Sequence, residues 1–266
     1  MIGASYGQDD ANRFEIESEA VRTRYEIEVV VPPGTPPPGT VYPVVYCMDW
    51  FILGDYLKAL PGLMDLGRLT EPYILVGITQ GKNTDDWAVM RTRDFTPAHP
   101  TDEYSKSNMY SKALEMTGGA ARFATFLEEE LIPRIESEYP SDPARRCFAG
   151  YSLGGLLGVH LVTRNPQLFQ YYLLGSPSLW FNDYYLASDL EEMSADRLET
   201  IKKVYLSVGE EESWEMLKGF GILRSAFHEK GFEDSRVKAE IIDSAGHVGA
   251  MPIALHNGLR FLFRSD

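Results

Sequence analysis

Six short apolar runs separated by helical stretches constrain this chain more than any other feature. They are Val41–Met48, Tyr73–Ile78, Arg146–Tyr151, Gln170–Gly175, Val204–Gly209 and Val237–Ile242. A strand apolar on both faces must be covered on both faces, and an intervening helix allows the next strand to pair in parallel. The pattern predicts an α/β fold with a mostly parallel central sheet and helices on both faces. Ahead of it, Arg13–Glu17 and Arg24–Val29 alternate polar with apolar residues, which predicts two half-exposed antiparallel strands. The stretch PPGTPPPGT at 32–40 can be neither helix nor central strand and reads as a surface loop. Too few strands precede it to form a domain, so residues 1–266 read as one domain, with 1–12 expected outside its ordered part.

The helices are legible from their apolar stripes. Phe123, Phe126, Leu127, Leu131 and Ile135 share a face between Gly119 and Tyr139, with a break or kink expected at Pro133. Further helices are expected after Ser152, over about 214–230 and over about 250–264. Gly81 to Gly118 reads as a long polar loop of functional character.

Charge and cysteine content narrow the function. A net charge of −14, with no basic stripe to offset it, argues against a nucleic-acid partner. No apolar run approaches the roughly 20 residues of a membrane span, and charges interrupt the N-terminal stretch where a signal peptide needs an apolar core. Cys47 and Cys147 sit in strand-like segments and read as reduced thiols of a cytoplasmic protein.

The pattern Gly-x-Ser-x-Gly occurs twice, around Ser5 and around Ser152. Ser5 lacks a strand before it and a helix after it, and is dismissed. Ser152 stands between the 146–151 strand and the helical stretch opening at Leu153. A sharp strand-to-helix turn exposes the hydroxyl, and flanking glycines avoid collision with the neighbouring strand and helix. A serine of ordinary pKa also needs a base. Of five histidines, His247 follows the 237–242 strand in DSAGHVGA and fits the Ser–acid–His order of α/β-hydrolases, on a loop freed by Gly246 and Gly249. His160 points away along its helix, His228 and His256 lie in amphipathic helices, and His99 precedes the serine. Glu210, Glu211 and Glu212 follow the 204–209 strand; Glu212 is the expected acid and Glu210 the reserve, ahead of Asp243 and Asp183. The oxyanion hole is expected from the backbone N–H groups of Leu153 and of Trp50, on the turn after the 41–48 strand.

Several longer stretches carry a resemblance: YPVVYCMDW, Arg91-Thr92-Arg93-Asp94-Phe95-Thr96-Pro97, FLEEELIPRIESEYP, RRCFAGYSLGG, GSPSLWFND and GHVGAMPIALHNGLRFLF. Together they make the chain similar to the Putative esterase family of the α/β-hydrolases, in its enterobactin-esterase-like, siderophore trilactone-hydrolase-like branch. The resemblance implies little or no cap domain and a serine esterase acting on carboxylic esters. Ser152, His247 and a glutamate near Gly209 fall on the matching positions. It makes Arg91 and Arg93 candidates for holding an anionic ferric catecholate, with ion pairs to Asp94 or Asp86 as the alternative. Ser176-Pro177-Ser178-Leu179-Trp180, at a strand end near the nucleophile, is expected to line the pocket wall. The family commonly has Asp-Gly where this chain has Asp49-Trp50, and the bulky indole is expected to narrow the cleft. No metal or organic cofactor is called for, and the partner is a small-molecule ester. Alternatives on the same machinery are feruloyl-ester hydrolysis, carbohydrate deacetylation and acyl transfer; a hydrolase fold kept as a binding module is the non-enzymatic one.

Overall fold

The computed structural model describes residues 12–34 and 37–264. The pattern around Ser5 lies outside the described residues, as does all but the last residue of the 1–12 segment. In chain order the elements are β1 (Arg13–Ser18), β2 (Thr23–Val30), β3 (Tyr42–Cys47), α1 (Trp50–Leu66), β4 (Ile74–Thr79), α2 (Thr84–Phe95) and α3 (Glu103–Asn108). Then come α4 (Ala120–Thr125), α5 (Ile132–Glu138), β5 (Ser141–Tyr151), α6 (Leu153–Arg164), β6 (Tyr171–Gly175) and α7 (Tyr185–Glu192). β7 (Lys203–Gly209), α8 (Trp214–Glu229), β8 (Val237–Ile242) and α9 (His247–Leu262) complete the chain.

One eight-stranded sheet runs in the order β1-β2-β4-β3-β5-β6-β7-β8. β1 pairs with β2, and β2 with β4, antiparallel; every later pairing is parallel. The expected α/β-hydrolase architecture is therefore present. The chain leaves β3 first for β4 on one side and then for β5 on the other, so a crevice opens beyond the carboxyl ends of β3 and β5.

Two apolar layers cover the sheet. Phe95, Phe123, Leu156, Leu186 and Phe220 bring α2, α4, α6, α7 and α8 into one of them. The other layer is built by α1 and α9, through residues such as Trp50, Leu57, Ala250 and Leu259. Trp50 fits there because Gly77 on β4 has no side chain; a Cβ at Gly77 would lie only 1.9 Å from the indole.

Two expectations are corrected. Residues 81–118 are not a loop: they form α2, α3 and a 3₁₀ turn (Ser111–Met116). Asn83 and Asp102 cap the two helices by accepting hydrogen bonds from Asp86 N–H and Ser105 N–H. The helical stripe is hard to see because α2 buries little beyond Thr92, Asp94 and Phe95. Nor does Pro133 break its helix. A π-helical segment (Phe126–Leu131) joins α4 to α5 and absorbs the missing N–H just before the proline.

Candidate active site

Successive strand ends deliver the polar groups of the crevice. Asp49 follows β3, Ser152 follows β5, Ser176 follows β6, Glu212 follows β7 and His247 follows β8. Three of them hold non-glycine backbone at positive φ: Asp49 at 56°, Ser152 at 60° and Ser176 at 38°. Such conformations cost about 1–3 kcal/mol each and persist where surrounding structure over-determines them.

Ser152 is fixed from both sides. Its N–H donates to Gly175 O at 2.9 Å, and its carbonyl accepts from Leu156 N–H at 3.0 Å and Ser178 N–H at 3.1 Å. Gly150 is needed, since a Cβ there would sit 2.3 Å from Gly154 O. Gly154 is not the second tight position: a Cβ there meets Asp49 at an ordinary 3.4 Å. The tight one is Gly155, where a Cβ would come within 2.9 Å of Gly175 O. The Ser152 hydroxyl lies 3.4 Å from Ser178 Oγ.

His247 is not on a loop but is the first residue of α9, which begins three residues before the expected start. Its Nδ1–H donates to Glu212 Oε2 at 2.5 Å. The Glu212 side chain is 1% exposed, the His247 side chain 41%. Glu212 Oε1 accepts from Gly209 N–H at 2.8 Å and from the Ser176 hydroxyl at 2.6 Å. Burial pushes the Glu212 pKa up; the hydrogen bonds from His247, Ser176 and Gly209 outweigh that and leave it below its ordinary value. Glu210 turns elsewhere and accepts from Ser244 N–H at 2.8 Å.

Leu153 and Trp50 are the first residues of α6 and α1, where an N–H has no intrahelical acceptor. The Trp50 indole does not narrow the cleft. It is 4% exposed, packs under the sheet and donates its N–H to Glu28 Oε2 at 2.8 Å.

The cleft has two lobes that meet at Ser152, Trp87 and Arg91. The first, of about 330 Å³, runs past His247 between Ile52, Leu53, Val248 and Met251. The second, of about 360 Å³, is walled by Met109, Tyr110, Ser178 and Trp180. Trp180 therefore stands on the wall, its N–H 3.1 Å from Met216 Sδ.

Arg91 faces both lobes but is paired with neither expected aspartate. Its Nε and Nη2 donate to Asp49 at 2.7 and 3.0 Å, and Trp87 Nε1 donates to the same carboxylate at 3.0 Å. Arg93 is not brought to the cleft: it donates to buried Asp94 at 2.7 Å, to Thr23 and to Tyr25. Ser178 stands on the wall with Trp180, as expected of the 176–180 stretch, whereas Trp87, Tyr151, the pairing of Asp49 with Arg91 and the contact of Ser176 with Glu212 escaped the sequence reading. For Trp87 a signal existed, since Trp87, Arg91 and Phe95 recur at the four-residue spacing of one helical face.

A sequence profile described as Putative esterase matches residues 18–220. The chain belongs to the Putative esterase family. Ferri-bacillibactin esterase BesA of Bacillus subtilis (strain 168) is 29% identical over 247 residues, which cover 88% of this chain and 83% of the relative. The BES protein from Bacillus cereus superposes with a TM-score of 0.78 at 24% identity, covering 100% of this chain and 98% of its own. An IroE-like serine hydrolase from Shewanella oneidensis gives 0.78 at 25% identity, covering 94% and 79%. This Putative esterase member is an ester-hydrolysing enzyme, similar to siderophore esterases. No helix among its described residues is long and apolar enough to cross a membrane.

Proposed function

We propose that this chain is a single-domain serine carboxyl-ester hydrolase in which Ser152 is the nucleophile, His247 the base and Glu212 the acid. The observation that carries the reading is the His247–Glu212 hydrogen bond of 2.5 Å at the edge of a cleft that Ser152 also lines. Ionised Glu212 accepts from Nδ1–H, which leaves Nε2 as the unprotonated nitrogen able to take the serine proton. Ser152 turns from Ser178 toward the imidazole and attacks the ester carbonyl as its proton passes to Nε2. The Leu153 and Trp50 N–H groups hold the oxyanion. The imidazolium then protonates the departing alcohol, and water repeats the sequence to release the acid.

The substrate proposed is a siderophore ester of the trilactone type, by likeness to the bacillibactin esterase. Iron then enters as part of the substrate, and the chain's own residues supply the chemistry. Cytoplasmic residence belongs to the same reading, with Cys47 and Cys147 buried as free thiols. One observation favours a second reading, an uncharged ester such as a feruloyl ester. The charges of Asp49 and Arg91 compensate each other, and apart from the phenols of Tyr110 and Tyr151 the other titratable group lining the lobes among the described residues is His247.

The test is hydrolysis of ferric and iron-free trilactones, feruloyl esters and acetylated sugars, with product masses read directly. Trilactone cleavage is expected, together with fluorophosphonate labelling of the wild type. Ser152→Ala should lose at least about 10³-fold in kcat and all labelling. Intact trilactones beside fast cleavage of another class would overturn the substrate, and an unlabelled, fully active Ser152→Ala the mechanism.

A further inference from the structure

The Ser176 hydroxyl is buried in the site and takes no part in the proposed reaction. Ser176 is 1% exposed, follows β6 directly and holds φ at 38°, in the left-handed region that a residue with a Cβ enters only under constraint. Its backbone is pinned by N–H donation to Ser207 O at 2.8 Å. The strain is therefore attached to a defined side-chain position, and that position touches two other groups of the site.

Ser176 Oγ lies 2.6 Å from Glu212 Oε1 and 2.8 Å from Tyr151 Oη. Tyr151 Oη in turn donates to the backbone carbonyl of His247 at 2.6 Å. Burial holds the Tyr151 hydroxyl far above the ordinary phenol range, so it stays a protonated donor. Ser176 has one proton to give, and the ionised carboxylate is the stronger acceptor. Tyr151 spends its own proton on the His247 carbonyl. The ring of Tyr151 also packs against the imidazole, with centroids 5.2 Å apart.

We propose that Ser176, acting with Tyr151, is a positioning residue for the acid–imidazole pair. One end of the His247–Glu212 hydrogen bond is fixed through Glu212 Oε1 by Ser176 after β6, and the other through the His247 backbone by Tyr151 at the end of β5. Glu212 stands on the turn after β7 and His247 at the first position of α9. Main-chain bonds from Glu210 N–H to Ile242 O and from Glu211 N–H to Ala245 O tie the two segments, and Ser176 and Tyr151 fix the carboxylate and the His247 carbonyl themselves. The inference rests on the reading of His247 as base and Glu212 as acid.

The experiment compares wild type with Ser176→Ala, Ser176→Gly, Tyr151→Phe and the Ser176→Ala/Tyr151→Phe double variant on p-nitrophenyl butyrate across pH. Ser176→Ala should lower kcat about 10- to 100-fold, the scale set by small misplacement of a reacting group, with KM within about twofold. The acid limb of the kcat/KM profile should move to higher pH, because the Ser176 hydrogen bond is one of those that hold the Glu212 pKa below its ordinary value. The double variant should lose less than the product of the single losses. Ser176→Gly relieves the φ strain while deleting the hydroxyl, so it should fold at least as well and be equally slow. A folded Ser176→Gly or Ser176→Ala with wild-type kcat and an unmoved acid limb would sink the inference, even if its melting temperature changed. If wild type were active while Ser152→Ala kept its activity, the underlying mechanism would fail instead, whatever Ser176 does.

Discussion

A guanidinium that grips a carboxylate through two N–H groups has little attraction left for a second anion. Arg91 is in that state against Asp49, whose side chain is 6% exposed. The pair has a second consequence, since Asp49 precedes Trp50 and its left-handed backbone sets where the Trp50 N–H points. Arg91 thus steadies the turn as it lines the cleft, and the net charge of the Arg91–Asp49 pair there is small. Asp49→Asn keeps an acceptor but frees the charge. The ratio of kcat/KM for a carboxylate-bearing phenyl ester over its neutral counterpart should rise about 10-fold, worth about 1.4 kcal/mol of new attraction. Damage to the turn cancels in that ratio. A ratio that stays put would mean that Arg91 is already available to anions.

At the scale of elements, the sheet was readable and the helix over the cleft was not. β3, β4, β6, β7 and β5 from Cys147 onward are continuous apolar runs because both faces are covered, and such runs stand out in any sequence; β8, at the edge, is only partly covered. α2 has one apolar contact row and otherwise meets solvent or substrate, so its composition looks like a loop. The pairing of α1 with β4 was equally hidden, because it depends on Trp50 meeting Gly77 across the chain. Gly77→Ala puts a methyl where the indole lies, and should destabilise the fold by about 1–3 kcal/mol. For a chain of this size that is a melting temperature several degrees lower, at roughly 2–4 °C per kcal/mol. Calorimetry reads it, and an unchanged transition would show that the indole has room to shift.

On the scale of the whole molecule, acid sensitivity follows from buried groups. His160, 6% exposed on α6, has its pKa pushed down from 6.5 to about 4 by burial, with Arg164 adding to it. Between those values the unfolded chain binds a proton that the folded one refuses, so stability falls as pH drops from 6.5 towards 4. The loss over the window is about 3 kcal/mol. Glu212 acts at lower pH: its depressed pKa contributes stability above its ordinary 4.5, which is lost as pH falls further. Denaturant unfolding at pH 7 and pH 5 should show a smaller pH-dependent loss in His160→Leu than in wild type. Equal losses would assign the acid sensitivity to other groups.

What the sequence determined by itself was local: apolar runs long enough for strands, a glycine-lined turn around Ser152, and a serine, a glutamate and a histidine at successive strand ends. Each follows from spacing along the chain, where sterics and hydrophobic patterning act over a few residues. Only the tertiary structure decided which carboxylate meets Arg91, that the Trp50 indole goes under the sheet, that Arg93 is spent on Asp94, and that Ser176 and Tyr151 stand behind His247. Those outcomes depend on which strand ends become neighbours and how much space a missing Cβ leaves, and neither quantity is written at any one position of the chain.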